Sequence, residues 1–594
     1  MTKSETFTRK LAAKKRIALI AHDNKKPELI EWAIYNKAVL AEHELYGTGT
    51  TGRLLAEALD QPVTRLLSGP LGGDQQIGAM IAEHRIDVVI FFWDPMEAQP
   101  HDPDIKALLR LGVVWNIPFA CDRASADFLM TSPLMHQEYE VRLPDYGAYL
   151  GRKVKQYISI FLFLGLFISC QTQPELTDSE LTTKWADMTL FITKNTPGNS
   201  PTYSSRCLGY IGLTMYEAVV QGTPQYNSLS TQLDSFYSLP KPKDGQSYDW
   251  RLSLNAAEAY ILKNIYNQTS DENKAKIDSL ETAINQYYGK KITDKATIGR
   301  SVAFGKEVAT TVFDWSKTDG GHRAYLKNFD KKMVHPSKAG SWKPPLYGQS
   351  FSHYPLHPHW GEKRTFVKKN AEISDPLLIP YDTMPNSPYY QQFLAVYNQE
   401  KVLTQDQKEA AIWWSDDPDE TFTPPGHSYY LATLVIKKTQ PDLIKCAETY
   451  AKVGMAVADA FRNCWKWKYK FFTERPNTFI TEHIDERWES FWPDPPFPSF
   501  PSGHAIQASA TATVLTSLYG EKFEFTDNAH EGRKRDELRE TEFKPRHYNS
   551  FWEVAEETAK SRFYGGIHVP QDNEAGLVKG KEIANNINQL KWKK

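Results

Sequence analysis

Arg152-Lys153-Val154-Lys155-Gln156-Tyr157-Ile158-Ser159-Ile160-Phe161-Leu162-Phe163-Leu164-Gly165-Leu166-Phe167-Ile168-Ser169-Cys170 is the stretch on which the fold of this chain turns. Basic residues precede an uncharged, mostly apolar run from Tyr157 to Ser169, and a polar segment follows Cys170. A helix that crosses a bilayer comfortably needs about 20 apolar residues, so this run falls short and has the proportions of the apolar core of an export signal. The alternative is a buried strand or helix joining two domains; the basic flank and the polar follow-on weigh against it. The text on the two sides of the seam obeys different periodicities, so it divides two folds.

On the N-terminal side, short apolar runs alternate with amphipathic stretches in the rhythm of parallel βα units. Strands are predicted at Arg16 to Ala21, His43 to Tyr46, Val63 to Leu67, Asp87 to Trp93 and Ile117 to Ala120. The runs Pro27 to Ala41 and Pro103 to Trp115 carry apolar residues at helical spacing and would cover the sheet faces. That is a doubly wound α/β domain. After Cys170 long helical patterns dominate: Asp178 to Thr193, Tyr203 to Val220, Leu252 to Tyr266, Lys295 to Trp315 and Tyr430 to Trp467. They predict an all-α helical bundle. The chain therefore reads as a multidomain protein with boundaries at 1–152, 153–175 and 176–594.

Length agrees, since 594 residues is roughly four times a usual single domain. Charge is balanced, 70 Lys and Arg against 72 Asp and Glu, which leaves no overall basic field for nucleic acid. The five cysteines are scattered and form no CxxC pair, so neither a disulfide scaffold nor a zinc ribbon is indicated.

Three features follow N-terminal strands directly, where open α/β sheets place ligands. They are His22-Asp23 with Lys26, the run Thr48-Gly49-Thr50-Thr51-Gly52, and Ser68-Gly69-Pro70-Leu71-Gly72-Gly73-Asp74. Small residues opening a helix leave backbone N–H groups and hydroxyls aimed at whatever sits above, which suits a phosphate. Each alone could be an ordinary capped βα turn. The fourth strand adds Trp93-Asp94-Pro95 and then His101-Asp102-Pro103-Asp104 to the same rim. A held phosphate, carboxylates to take a proton and a histidine to steer a carbonyl suit proton abstraction next to that carbonyl.

These runs, together with Ala21 before His22, Gln75-Gln76 after Asp74 and Phe91-Phe92 before Trp93, closely resemble the methylglyoxal synthase family across Arg16 to Arg152. The resemblance implies conversion of dihydroxyacetone phosphate to methylglyoxal and phosphate, without a metal or other cofactor, in a cytoplasmic hexamer. By position it makes Asp74 the general base and His101 the partner of the enediolate oxygens. Asp23, Asp94 and Asp104 would set protonation states. Lys26, Thr48, Gly49, Thr50, Thr51, Ser68 and Gly69 would hold the phosphate, and His22 would contact substrate. Cys121-Asp122-Arg123 departs from the pattern, carrying Asp where Asn is expected.

Three ordered blocks mark the C-terminal half: Lys468 to Arg475-Pro476, Pro501-Ser502-Gly503-His504, and Ser561-Arg562 to His568-Val569-Pro570-Gln571-Asp572. One lysine and two arginines offer fixed donors to a tetrahedral oxyanion. Ser502 and Gly503 open a predicted helix, His504 to Leu518, and add backbone N–H groups at its positive end. His568, oriented by Asp572, would attack or coordinate the central atom, and His504 would protonate the leaving oxygen.

The blocks resemble the superfamily that joins type 2 phosphatidic acid phosphatases to vanadium-dependent haloperoxidases. Pro495 to Pro501 and Gly565-Gly566-Ile567 look more like the haloperoxidase branch. In that branch the resemblance makes His568 the vanadium ligand, gives the vanadate oxygens to Lys468, Arg475, Ser502, Gly503 and Arg562, and puts Trp465 and Phe497 near the halide. In the phosphatase branch His568 becomes the phosphorylated nucleophile. The seam in turn resembles a bacterial lipoprotein signal, with Phe167 where Leu is usual. That implies a lipidated Cys170 and a C-terminal domain anchored to the membrane on the periplasmic or outer side. A cytosolic lyase and an exported enzyme then share one chain. Either the chain is cleaved or spans the membrane, or two adjacent reading frames are joined, which is the favoured origin. The alternative to a lyase is that the exported C-terminal domain carries the main activity and the N-terminal unit is a phosphate-sensing module or an artefact of the fusion.

Overall fold

The computed structural model describes residues 7–68, 72–94, 102–143, 176–345, 352, 354–418 and 420–594, with residues 7, 102–107 and 143 by backbone alone. The seam around Cys170, and with it the export-signal reading, lies outside the described residues. The chain divides into two compact units that part between Gln173 and Pro174.

In the N-terminal unit β1 (Phe7–Leu11) pairs antiparallel with β7 (Tyr139–Leu143), a two-stranded ribbon the periodicity did not foresee. The main sheet comprises β2 (Arg16–Ala21), β3 (Glu44–Thr48), β4 (Val63–Leu66), β5 (Val88–Phe92) and β6 (Phe119–Ala120), all parallel, in the order β4-β3-β2-β5-β6. The period of two along β2 sends Ile17 and Leu19 into one core, with Leu29, Trp32 and Leu55, and Ala18 and Ile20 into a second, with Ile77 and Ile81. Both faces are covered, which is why the strands read as apolar runs. The chain steps outward from β2 to β3 and β4, then returns to β5 on the other side, so the carboxyl ends of β2 and β5 flank the switch point where such sheets hold ligands.

Several expected boundaries move; the strand expected over Ile117 to Ala120, for one, is only Phe119–Ala120. The helix expected over Pro27 to Ala41 is Lys26–Tyr35 followed, past Asn36, by one turn, Lys37–Leu40. The strand expected to end at Tyr46 runs on to Thr48, because Gly47 and Thr48 pair with Arg65 and Leu66.

The C-terminal unit is helical apart from small strand pairings such as β8 (Phe525–Asp527) with β9 (Arg546–Tyr548). Its longest helix, Leu443–Phe471, crosses Pro201–Glu217 on glycine: a Cβ at Gly454 would stand 2.5 Å from the Leu208 carbonyl oxygen, and one at Gly212 2.4 Å from that of Tyr450. Helices Gly503–Tyr519 and Pro570–Asn588 meet the same way at Gly576 and Gly580. The single helix expected over Tyr430 to Trp467 is two, Thr423–Thr439 and Leu443–Phe471. Gln440 turns left-handed at φ 48°, Pro441 cannot continue the ladder, and Asp442 caps the next helix by accepting from the Lys445 N–H.

Candidate functional sites

In the N-terminal unit the predicted residues gather at the carboxyl ends of the strands. The His22 Nδ1 accepts from the Asp94 backbone N–H at 3.3 Å, which ties the exit of β2 to the exit of β5. Lys26 Nζ lies 2.5 Å from Asp23 Oδ1, and this hydrogen bond and charge hold the exposed Asp23 carboxyl below the usual carboxylate range. Thr48 precedes the helix Gly49–Leu59 at its cap, with a side chain that makes no capping bond, and Thr51 is buried in the first turn. Gly49 takes φ 37°, and a Cβ there would lie 2.7 Å from the Ser68 Cβ. That absence of a side chain is what lets the loops after β3 and β4 touch. The Gly73 N–H donates to the Ser68 carbonyl at 3.0 Å, which places Asp74 in the first turn of Gly73–Ala82 beside the same loop. Gly69 and His101 lie outside the described residues, and Asp104 is placed only by backbone, in the helix Asp102–Val114. Asp122 is the cap of Arg123–Met130 and accepts from the Ser125 N–H at 2.9 Å. Asn and Asp cap helices about equally well, so the departure noted in the sequence is absorbed by structure.

In the C-terminal unit every one of the three blocks reaches one point. His568 is buried; its Nδ1 donates to Asp572 Oδ2 at 2.8 Å, and the same carboxylate oxygen accepts from Ser499 Oγ at 2.5 Å. With Nδ1 so engaged, Nε2 carries the lone pair, and an Arg475 Nη1–H approaches it at 3.3 Å. Arg475 also donates to the carbonyls of Ile567 and Phe497, at 2.8 Å and 3.0 Å. Lys468 Nζ donates to the Pro498 carbonyl at 2.8 Å, and Arg562 to the Ala411 carbonyl. Ser502 caps the helix Gly503–Tyr519.

Lys468, Arg475 and Arg562 are each at most 1% exposed, and none makes an ion pair among the described residues. Burial lowers the affinity of all three for their protons, taking Arg562 down to about 10. Burial also drives His568 well below the usual imidazole value and His504 to about 3, while it raises Asp572. Cationic groups desolvated together need an anion to balance them.

The cage opens on a cavity of about 370 Å³ whose walls include His504, His568, Arg562, Trp465 and Phe497. Ser415, Asp416, Asp417 and Asp494 also line it, and sequence reasoning missed them, because they come from loops with no spacing signal. Burial raises Asp494 to about 7 and Asp417 to about 6. Ser499 was missed as well, although it lies within the proline-rich run that pointed to this site.

Comparison with known proteins follows the same division. Residues 28–121 match the family model described as MGS-like domain, and residues 448–592 the one described as VCPO second helical-bundle domain. The methylglyoxal synthase of Sodalis glossinidius is 57% identical over 150 residues, 25% of this chain and 98% of that protein. The chain belongs, through its N-terminal unit, to the methylglyoxal synthase family. The C-terminal unit is similar to the structure of the first bacterial vanadium-dependent iodoperoxidase, with TM-score 0.61 and 26% identity over 71% of this chain and 98% of that one. A holo-type bacterial vanadium-dependent chloroperoxidase, 14% identical over 70% of this chain and 94% of that one with TM-score 0.50, shares the fold. The protein is thus multidomain, an α/β methylglyoxal synthase-like unit followed by a helical, vanadium haloperoxidase-like unit.

Proposed function

We propose that the N-terminal unit converts dihydroxyacetone phosphate to methylglyoxal and inorganic phosphate. The observation that carries this is the 57% identity over 98% of a methylglyoxal synthase, together with the gathering of His22, Asp94, Thr48, Ser68 and Asp74 at one sheet edge. Asp74 takes a proton from the hydroxyl-bearing carbon, leaving an enediolate whose oxygens His101 hydrogen-bonds. The helix N-terminus at Gly49 and the side chains of Thr48, Thr50, Thr51, Ser68 and Lys26 hold the phosphate. If the C–O bond to phosphate stands perpendicular to the enediolate plane, its electrons leave with phosphate, and the enol that remains takes up a proton at its methylene carbon and gives up its hydroxyl proton to become methylglyoxal. Asp74→Asn should abolish turnover and keep phosphate binding. Wild-type protein that binds phosphate without turning over dihydroxyacetone phosphate would instead make the unit a sensor.

The C-terminal unit is proposed to bind vanadate and to oxidise a halide with peroxide. The buried trio Lys468, Arg475 and Arg562, none of them in a direct ion pair among the described residues, around the His568 lone pair carries the reading, and the iodoperoxidase neighbour supports this branch. The donor set fits a tetrahedral oxyanion: fixed cations, the helix N-terminus at Ser502 and Gly503, and an imidazole whose Nε2 carries the lone pair because Asp572 holds Nδ1 and burial disfavours the protonated ring. Bound vanadate would supply peroxide activation. Asp572 and Ser499 orient His568, and His504, held by the Ser415 carbonyl at 3.3 Å and lining the same cavity, moves a proton there. Peroxide-dependent iodide or bromide oxidation after vanadate loading tests this. Hydrolysis of p-nitrophenyl phosphate, inhibited by vanadate, would place the unit in the phosphatase branch.

By the same reading the N-terminal unit is cytoplasmic and Cys170 anchors the C-terminal unit outside the inner membrane. Immunoblots of fractionated cells with an antibody to each unit test both. One full-length membrane band would mean a tethered fusion, and two bands in separate fractions two proteins.

A further inference from the structure

Beside the oxyanion cage, and outside the three motif blocks, lies a second cluster of ligating side chains. Asp416, His427 and His530 are 1%, 1% and 2% exposed. One donor atom from each lies within 4.8 Å of the other two. His427 Nδ1 stands 2.7 Å from Asp416 Oδ2, and His530 Nε2 stands 3.0 Å from Asp416 Oδ1. That second approach is close but lacks hydrogen-bond geometry, which leaves Asp416 Oδ1 and His530 Nε2 as buried polar atoms without a well-formed hydrogen bond. A buried acceptor and a buried imidazole nitrogen left unsatisfied each cost stability. A group that accepts lone pairs from both removes that cost.

The surroundings of His427 have the form that metal-bound histidines require. Its far nitrogen, Nε2, lies 2.8 Å from Asp527 Oδ2, the carboxylate partner that fixes ring orientation and raises ligand basicity. Asp527 is itself anchored by the Trp413 indole N–H at 3.0 Å and the Ala529 N–H at 2.9 Å. Trp414 stacks on His427 at 4.5 Å and Phe422 on His530 at 5.9 Å, so both rings are held before any ligand arrives. Asp416 lines the cavity, which leaves room for water in a remaining coordination position.

We propose that Asp416, His427 and His530 form a binding site for a divalent first-row transition ion, with Asp527 as its outer carboxylate. Two imidazoles and one carboxylate suit zinc, iron, cobalt or manganese, and offer too few oxygens for calcium. Charge supports the assignment. Two carboxylates and two neutral imidazoles carry a net charge of minus two, which one divalent ion neutralises inside the protein. The competing occupant is a proton, which would make His427 an imidazolium between two carboxylates.

The ion would be structural. Asp416 holds a left-handed φ of 50°, unusual for a residue with a side chain, and the preceding Ser415 carbonyl faces His504 Nε2 at 3.3 Å. Pinning Asp416 would therefore fix the loop against which His504 rests. This inference does not depend on vanadate binding, because none of its residues belongs to the cage.

The test uses the full chain, purified without chelator, dialysed against Zn²⁺ and desalted, with bound metal measured by mass spectrometry. About one zinc per chain is expected, as for a structural site, together with a chelator-dependent fall in the melting temperature of the C-terminal unit. His530→Gln should lose the zinc while retaining the helical circular dichroism spectrum. Substoichiometric zinc in the wild type, or undiminished zinc in His530→Gln, overturns the proposal. Should that variant fail to fold, X-ray absorption on the wild-type zinc protein decides: two imidazoles with oxygen completing the shell are expected, and any sulfur or a lack of imidazole overturns it.

Discussion

Lys468 lies in the last turn of its helix, yet its ammonium group hydrogen-bonds backbone carbonyls and no carboxylate. Such a charge destabilises the protein until an anion arrives. Lys468→Met, which keeps the stem and removes the charge, should therefore raise anion-free stability by about 1–4 kcal/mol and abolish stabilisation by phosphate or vanadate. Thermal melts with and without the oxyanion check both; lowered anion-free stability would show that the charge already has its partner. His504 gives a pH signature. Burial, then the nearby Arg562, brings its native pKa to about 3 against an ordinary 6.5, so between these values the unfolded chain binds the extra proton. Its contribution is complete above pH 6.5 and is lost as pH falls toward 3. His504→Gln should flatten that part of the stability–pH curve, as read by denaturant titration across the window. Oxyanion chemistry made Lys468, Arg475, Arg562, His504 and His568 legible in the sequence, since charges in ordered motifs have few other uses. Asp416, His427 and His530 were illegible, because their meeting depends on loop paths that no spacing encodes.

Helices carry these residues to their places, and glycine sets how closely the helices approach. Leu443–Phe471 delivers Lys468, and Gly454 lets it touch Pro201–Glu217 backbone to backbone. Gly454→Ala puts a methyl group 2.5 Å from the Leu208 carbonyl oxygen, inside any real contact, and the obstacle is backbone. A loss of about 1–3 kcal/mol is expected, measured by denaturant midpoint at constant slope. Gly245→Ala, where a Cβ meets nothing within 4 Å, is a weak control because its φ of 70° strains any side chain; Gly289→Ala, with open space and no such strain, should be near neutral. The helical periodicity was readable, as was the parallel sheet, because burial of one stripe or of both faces is written in residue order. What periodicity could not show was the interruption at Gln440 and Pro441, where apolar residues continue on both sides of a backbone break. The ribbon of β1 and β7 escaped for a related reason: its strands lie more than a hundred residues apart and alternate only weakly.

At the scale of the molecule, each unit has its own apolar core. Ile17, Trp32, Val88 and their neighbours form one set in the N-terminal unit, and Trp185, Tyr216, Met455 and Ile506 belong to another in the C-terminal unit. Among the described residues, each of these sets draws its members from one side of the division at Gln173 and Pro174. A chain built this way should come apart without loss. Expressed separately, residues 1–173 and 174–594 should each fold, and each should retain the specific activity its unit shows in the full chain to within about twofold. The intact protein should melt in two transitions, of which phosphate analogues that bind only the C-terminal cage raise only one. Calorimetry of the full chain and of the two pieces measures this directly. A single cooperative transition in the full chain, or a piece that stays unfolded, would mean that the units stabilise one another and that the junction contributes to the fold as well as joining two proteins.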